Sequence, residues 1–379
     1  SVEELKRRVA EAARELGPGA WILGRGWDQE EFREGRWPTR WDLDEAAPSN
    51  PVLLLRVCGH AAVANTLALA TAGITDSTPD PPGGLIERAG GRVTGVLKES
   101  AVQLVLSAAQ RGSGEELVRA GAEALLASGV TCVHAMSVGG EELRALAALA
   151  EGGGLRIRVR AYLDAGVPDP RPLSVGNLMV VGLKAFADGS FGARTAALRE
   201  PYSDEPGNSG LLLMDRGAIA SALEGARRRG LQLAVHAIGD RALEEGVEAA
   251  RVAGAGGLRV EHASLAPPDL AEGLAELGLP VSAQPRFVLS DWWIVSRLGG
   301  RARWAYPFRS LLSRGVTLAF SSDAPVEPCN PWEGVYAAVT RGAAEGLPAA
   351  RLWAGEALTT EEAVRCYTET AHRITGERL

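Results

Sequence analysis

From about residue 115 onward, apolar and polar positions follow one repeated pattern: an amphipathic, helix-like stretch, a glycine, then a short apolar run rich in β-branched residues. Positions 115–128 and Gly129 lead into Val130-Thr-Cys-Val-His134, and positions 218–229 and Gly230 into Leu231-Gln-Leu-Ala-Val-His236. Positions 269–277 and Gly278 precede Pro280-Val-Ser-Ala-Gln284, and 311–314 with Gly315 precede Val316-Thr-Leu-Ala-Phe-Ser-Ser-Asp323. A glycine behind a helix supplies the left-handed residue that ends it. Continuous apolar strands that alternate with helices predict a parallel sheet covered on both faces. Seven such strands are read, at 130–134, 155–163, 178–186, 231–237, 258–262, 280–284 and 316–322. That is one strand short of a (β/α)8 TIM-type barrel. A doubly wound sheet is the alternative, and the polar residues that recur at strand ends favour the barrel, whose active sites sit there.

Residues 1–114 break the rhythm. They open on a helix-like stretch (2–12), continue with Trp21-Ile-Leu-Gly-Arg-Gly-Trp-Asp28 and a strand-like Pro51 to His60, and reach a Pro- and Gly-rich stretch at 80–95 that reads as a loop. The region is expected to be an insertion or lid packed on the barrel, with 115–379 as the barrel itself. Gly24-Arg-Gly26 lacks the third glycine and the helix of a dinucleotide signature.

The chain has 379 residues, enough for a large core, with 46% apolar and 23% charged residues, both ordinary for a globular protein. A net charge of −7 and the lack of a long basic run argue against nucleic acid. No apolar run reaches about 18 residues, which argues against a membrane span. Cys58, Cys132, Cys329 and Cys366 contain no C-x-x-C, which excludes a cysteine zinc cluster and suits a reducing, cytoplasmic setting with no signal peptide. A small-molecule substrate is the expected partner, and a homodimer is compatible with the sequence.

Lysine is nearly absent. Of three lysines, Lys6 and Lys98 have polar neighbours, but Lys184 lies in an apolar strand, Val181-Gly-Leu-Lys184. Burying an ammonium without a partner costs several kcal/mol or pulls its pKa down. Its candidate uses are a Schiff base, a general base, or a lysine carbamate bridging metals. His236, His262 and Asp323 also follow apolar strands, so parallel strands in one barrel would bring all four to its C-terminal mouth. Two imidazoles and a carboxylate are ready ligands for Zn²⁺ or a similar divalent ion. Each residue alone also has a structural reading: a satisfied histidine, an Asp323 cap, or a buried ion pair between Lys184 and Asp188.

The whole set resembles the amidohydrolase superfamily, in particular the branch of N-substituted formamide deformylase-like enzymes. The resemblance rests on Gly24-Arg-Gly-Trp-Asp28, Leu43-Asp44, Pro51-Val52, Gly59-His60, Gly95-Val-Leu-Lys-Glu99, Gly182-Leu-Lys-Ala-Phe-Ala-Asp-Gly-Ser190, Arg194-Thr195, Pro201-Tyr202, His236-Ala-Ile-Gly-Asp240, Glu261-His262, Gln284-Pro285 and Ser322-Asp-Ala-Pro325. It implies a metal-dependent hydrolase of amide, N-acyl or N-formyl C–N bonds. Lys184 would be a CO₂-derived carbamate serving one or two divalent ions, zinc by the resemblance, with His236 and His262 as ligands. Asp323 would be both ligand and general base on the metal-bound water.

The family pattern also has His-x-His at the end of the first barrel strand, and this sequence has none. The expectation is therefore a barrel core lacking that first strand and the flanking β-sandwich, with two ligands absent. Seven of nine tryptophans cluster in two segments outside the strands, at 21–41 and 292–304, among them Trp27, Trp292 and Trp293, which suggests an apolar lid; plain packing is the alternative. His60, His134, Asp188, Arg194, Gln284 and Glu327 are further candidates for substrate contact. Two other functions stay open: a Schiff-base enzyme built on Lys184, and a degenerate, non-catalytic barrel.

Overall fold

The computed structural model describes residues 1–109 and 114–375. The chain divides into two compact units, Ser1–Arg111 and Gly112–Leu379.

In the first unit, five strands, β1 (Ile22–Trp27), β2 (Val52–Arg56), β3 (Ala61–Ala64), β4 (Gly84–Ala89) and β5 (Arg92–Glu99), form one sheet in the order β1-β2-β3-β5-β4. The helix Val2–Leu16 opens the unit, capped by the Ser1 hydroxyl accepting from the Glu4 amide, and buries Val2, Leu5 and Val9. Side chains alternate across a strand. Accordingly Leu53 joins one apolar cluster with Ile86 and Leu97, while Val52 and Leu54 join the other with Leu5 and Val9. The stretch expected to be a loop at 80–95 is instead largely a β-hairpin. Ala89 pairs with Arg92, and Gly90 and Gly91 between them have φ of 57° and 78°. Positive φ at both central positions is what a two-residue I′-type turn needs, so the glycine pair here closes a hairpin.

The second unit carries β6 (Cys132–Val138), β7 (Arg158–Leu163), β8 (Leu173–Val175), β9 (Leu178–Phe186), β10 (Gln232–Ala237), β11 (Leu258–His262), β12 (Val281–Ala283) and β13 (Leu318–Phe320). Seven of them run parallel in the order β13-β12-β11-β10-β9-β7-β6, and β8 pairs antiparallel with the start of β9. Helices such as Arg216–Arg228, Asp240–Ala253 and Pro268–Glu276 link the strands and bury their apolar stripes.

The sheet is curled. Arg259 on β11 donates to His134 on β6 at 3.1 Å, although three strands separate them in the sheet. Ser128 Oγ, ahead of β6, lies 3.2 Å from Cys329 Sγ, beyond β13. A flat doubly wound sheet would hold these groups far apart, so the fold is barrel-like. The two edges differ: β13 is buried along its length, whereas β6 is only partly buried from Cys132 to Ser137 and, among the described residues, pairs only with β7. Among the described residues, no helix is long and apolar enough to cross a membrane.

Candidate active site

The alternation of β9 turns Leu178, Val180, Gly182 and Lys184 to the buried face. Gly182 has no alternative: a Cβ there would stand 2.4 Å from the Tyr162 ring. Lys184 is only 5% exposed, and its Nζ lies 4.8 Å from the centre of the Phe186 ring. Burial lowers the amine's pKa to about 8, against the pull of the negative charges of Glu261, Asp323 and Asp188.

The two histidines at neighbouring strand ends meet. The His236 and His262 rings are 4.3 Å apart, edge to face. Each is held at one nitrogen by an oxygen. His236 Nε2 donates to the Gly189 carbonyl at 2.9 Å, and His262 Nδ1 donates to Gln284 Oε1 at 2.6 Å. Gln284 is itself fixed, its Nε2 donating to Ser321 Oγ at 2.9 Å and to the Ser282 carbonyl at 3.1 Å. Asp188 is fully buried and holds the loop beneath His236. Its carboxylate accepts the amides of Ala197, Ile238 and Gly239 at 2.9, 3.0 and 2.8 Å and lies 3.5 Å from His236 Nε2. His262 and Asp323 both adopt left-handed backbone, with φ of 75° and 58°. Such conformations cost about 1–3 kcal/mol in non-glycine residues and cluster at functional sites.

The donors suit a metal in kind. A ligating imidazole gives its other N–H to a carbonyl or similar acceptor, which fixes the ring and leaves the lone pair on the far nitrogen. The bonds to Gly189 and Gln284 do this for both rings. Among the described residues, no three His, Cys, Asp or Glu side chains stand together as a metal-holding group.

The inner wall of the curled sheet holds a second set of polar residues, of which sequence reasoning had picked out only His134 as a candidate. Arg259, 2% exposed, donates from Nε to Glu261 Oε1 at 2.5 Å and from Nη1 to His134 Nδ1 and Tyr162 Oη at 3.1 and 3.0 Å. Tyr162 Oη in turn donates a hydrogen bond to Gln232 Oε1 at 2.6 Å. Burial disfavours a charged Glu261, yet Arg259 and Lys184 together hold its pKa below the ordinary value. The signal was present in the spacing. In Arg259-Val-Glu261, alternate residues of a buried strand are charged, which an ordinary core strand avoids.

A family model described as the amidohydrolase family matches residues 1–378. The chain belongs to the amidohydrolase family. The amidohydrolase YtcJ of Bacillus subtilis (strain 168) is 34% identical to it, across 97% of this chain and 73% of that protein. The N-substituted formamide deformylase of Arthrobacter pascens is 28% identical, across 99% and 74%. Among solved structures, an uncharacterised metal-dependent hydrolase of Pyrococcus horikoshii OT3 superposes with a TM-score of 0.80 at 38% identity, covering 99% of this chain and 76% of that one.

The other candidate residues of this amidohydrolase disperse. His60 and Trp27 lie in the first unit. His60 Nδ1 is 2.8 Å from Glu99 Oε2, and Trp27 is a core residue whose Nε1 donates to the Leu54 carbonyl. His134 is on the inner wall, where burial and then the Arg259 charge push its pKa down to about 3. Arg194 is tied to Asp204 at 3.0 Å and Glu205 at 3.4 Å. Trp292 is exposed, while Trp293 is buried beneath the Arg297 guanidinium. Burial raises the pKa of Glu327, which faces Arg286 at 3.9 Å. The structure thus brings together His236, His262, Gln284 and Asp188, sets Lys184 within the electrostatic field of Asp188 and Asp323, and leaves Arg194 apart on its own ion pairs.

Proposed function

We propose that this amidohydrolase cleaves a C–N bond of an amide, N-acyl or N-formyl substrate at a divalent metal, with zinc the best match to the donor types. His236, His262, Lys184 and Asp323 would hold the ion. The observation that carries the reading is the pair of imidazoles in ring contact, each anchored on a protein oxygen. The named activities of the relatives support the same class of chemistry. When bound, the ion lowers the pKa of a water and polarises the scissile carbonyl.

The chain's own residues do the rest. Asp323 takes a proton on its carboxylate and returns it to the leaving nitrogen. A Lys184 amine with a pKa near 8 has a sizeable neutral fraction at neutral pH. The neutral amine adds CO₂, forming an N–C bond and releasing one proton, and becomes an anionic oxygen donor. Gln284 and Asp188 hold the imidazoles in place. We read the seven parallel strands as a (β/α)8 barrel short of one strand, whose place is beside the partly buried β6, and residues 1–114 as an insertion region.

Metal analysis after incubation with zinc and bicarbonate tests the reading. Stoichiometric zinc that is lost in His236→Ala and in His262→Ala supports it. Failure of the wild-type protein to retain zinc contradicts it. The same lowered lysine pKa favours one second reading, a Schiff-base lysine. Borohydride trapping of a carbonyl substrate on Lys184 separates the two.

A further inference from the structure

We propose that Arg259 is the positioning residue of the barrel interior: it fixes Glu261 on the inner wall and locks His134 as a neutral imidazole that carries its proton on Nε2. This goes beyond the metal reading and does not depend on it.

The argument rests on which atoms can donate. A guanidinium only donates, so every partner of Arg259 must offer an acceptor. His134 Nδ1, 3.1 Å from Nη1, therefore presents a lone pair. The Tyr162 oxygen, 3.0 Å from the same Nη1, likewise accepts and turns its own O–H toward Gln232 Oε1. Both hydrogens of Nη1 are used in this way. Gln232, its Oε1 committed, donates from Nε2 to the Ile374 carbonyl at 3.3 Å. The third bond, from Nε to Glu261, fixes a carboxylate one residue ahead of His262 and in the field of Lys184. The guanidinium also lies over the Tyr162 ring, 4.8 Å from its centre, so planar stacking adds to the fixed geometry.

One side chain on β11 thus orders groups on β6, β7, β10 and its own strand. Lysine cannot replace it, because a point-like ammonium lacks the planar fork that spans Glu261, Tyr162 and His134 together. The consequence for His134 is specific. It meets its surroundings as an N–H donor, and its Nδ1 is unavailable as a base or as a metal ligand.

Side-chain ¹⁵N NMR of histidine-labelled, metal-free protein at pH 7.5 tests this, with the His134 signals assigned from His134→Gln. The wild-type protein should show a single His134 tautomer, protonated on Nε2. Removing the guanidinium alone would strand a buried carboxylate, so the informative variant is the double R259M/E261Q, in which both charges go together. There both tautomers of His134 should appear. Tyr162→Phe, which removes a different partner of the same nitrogen, should leave the single tautomer in place. A wild-type His134 protonated on Nδ1 would overturn the proposal. So would an unchanged single tautomer in R259M/E261Q, or tautomer mixing in Tyr162→Phe. Because the readout needs no metal and no turnover, a failed metal reconstitution does not affect it.

Discussion

Each of the two units buries an arginine against a carboxylate, and the surroundings of the two pairs differ. In the first unit Arg56, 1% exposed, donates to Asp28 Oδ1 at 2.6 Å and to Gln29 Oε1 at 2.8 Å, both just beyond the adjacent strand β1. In the second unit Arg259 bonds to groups on three strands, its own included, and to groups that titrate: a histidine, a tyrosine and the Glu261 that lies in the field of Lys184. A buried ion pair is by itself weak evidence of anything but its own cost. What marks the second as functional ground is the company it keeps, namely a lysine driven toward neutrality and two anchored imidazoles. The first pair ties one strand to the loop of its neighbour.

Replacing each arginine by methionine breaks or sharpens this contrast with the largest effect. Arg56→Met and Arg259→Met each leave a carboxylate uncompensated and should lose roughly 3–5 kcal/mol of stability in urea unfolding. Under conditions where both stay folded, Arg56→Met should keep its hydrolytic turnover and Arg259→Met should lose most of it. Equal turnover in the two would erase the distinction. Gly182→Ala drives a methyl group into the Tyr162 ring. It should cost about 1–3 kcal/mol by overpacking, and it should perturb His134 in NMR spectra because Tyr162 and His134 share one guanidinium nitrogen.

Gln284→Ala is a subtler change. It removes the acceptor that orients His262 and should weaken zinc binding by roughly 10–100-fold with little change in fold, read by competition with a chelator. Undiminished zinc affinity would detach His262 from the metal site. The smallest effect is on acid stability. His134 has a folded pKa of about 3, against an unfolded value of about 6.5. Between those values the unfolded chain binds the extra proton, so stability falls as pH drops below about 6.5 and this contribution levels off near 3. By pH 5.5 the loss should reach about 1.4 kcal/mol, and His134→Gln should lack it.

Much of the second unit could be read from its pattern. Seven parallel strands, the glycines that follow the helices, and Lys184, His236, His262 and Asp323 at strand ends were all visible, because a buried parallel strand has a strong apolar signature and an active site interrupts it at one end. The hairpin of β4 and β5 was not. Gly83-Gly84 and Gly90-Gly91 flank short strands, and glycine density alone does not distinguish a loop from a tight turn between paired strands. Arg194 looked available because its partners, Asp204 and Glu205, lie ten residues on in an irregular loop. Arg259 escaped notice for a related reason. Its partners come from β6 and β7, and no local spacing encodes the curl of the sheet that brings them within reach. The curl itself follows from the closing of the inner wall, which only the assembled strands define.

The central claim is that Lys184, His236, His262 and Asp323 serve one metal centre. The most direct test is an anomalous-scattering map at the zinc edge from crystals of protein loaded with zinc and bicarbonate. The account predicts a peak within ligand distance, about 2.0–2.2 Å, of a nitrogen on each imidazole, with added density on the Lys184 amine. A zinc peak elsewhere, or a bare amine with both rings unligated, would contradict it.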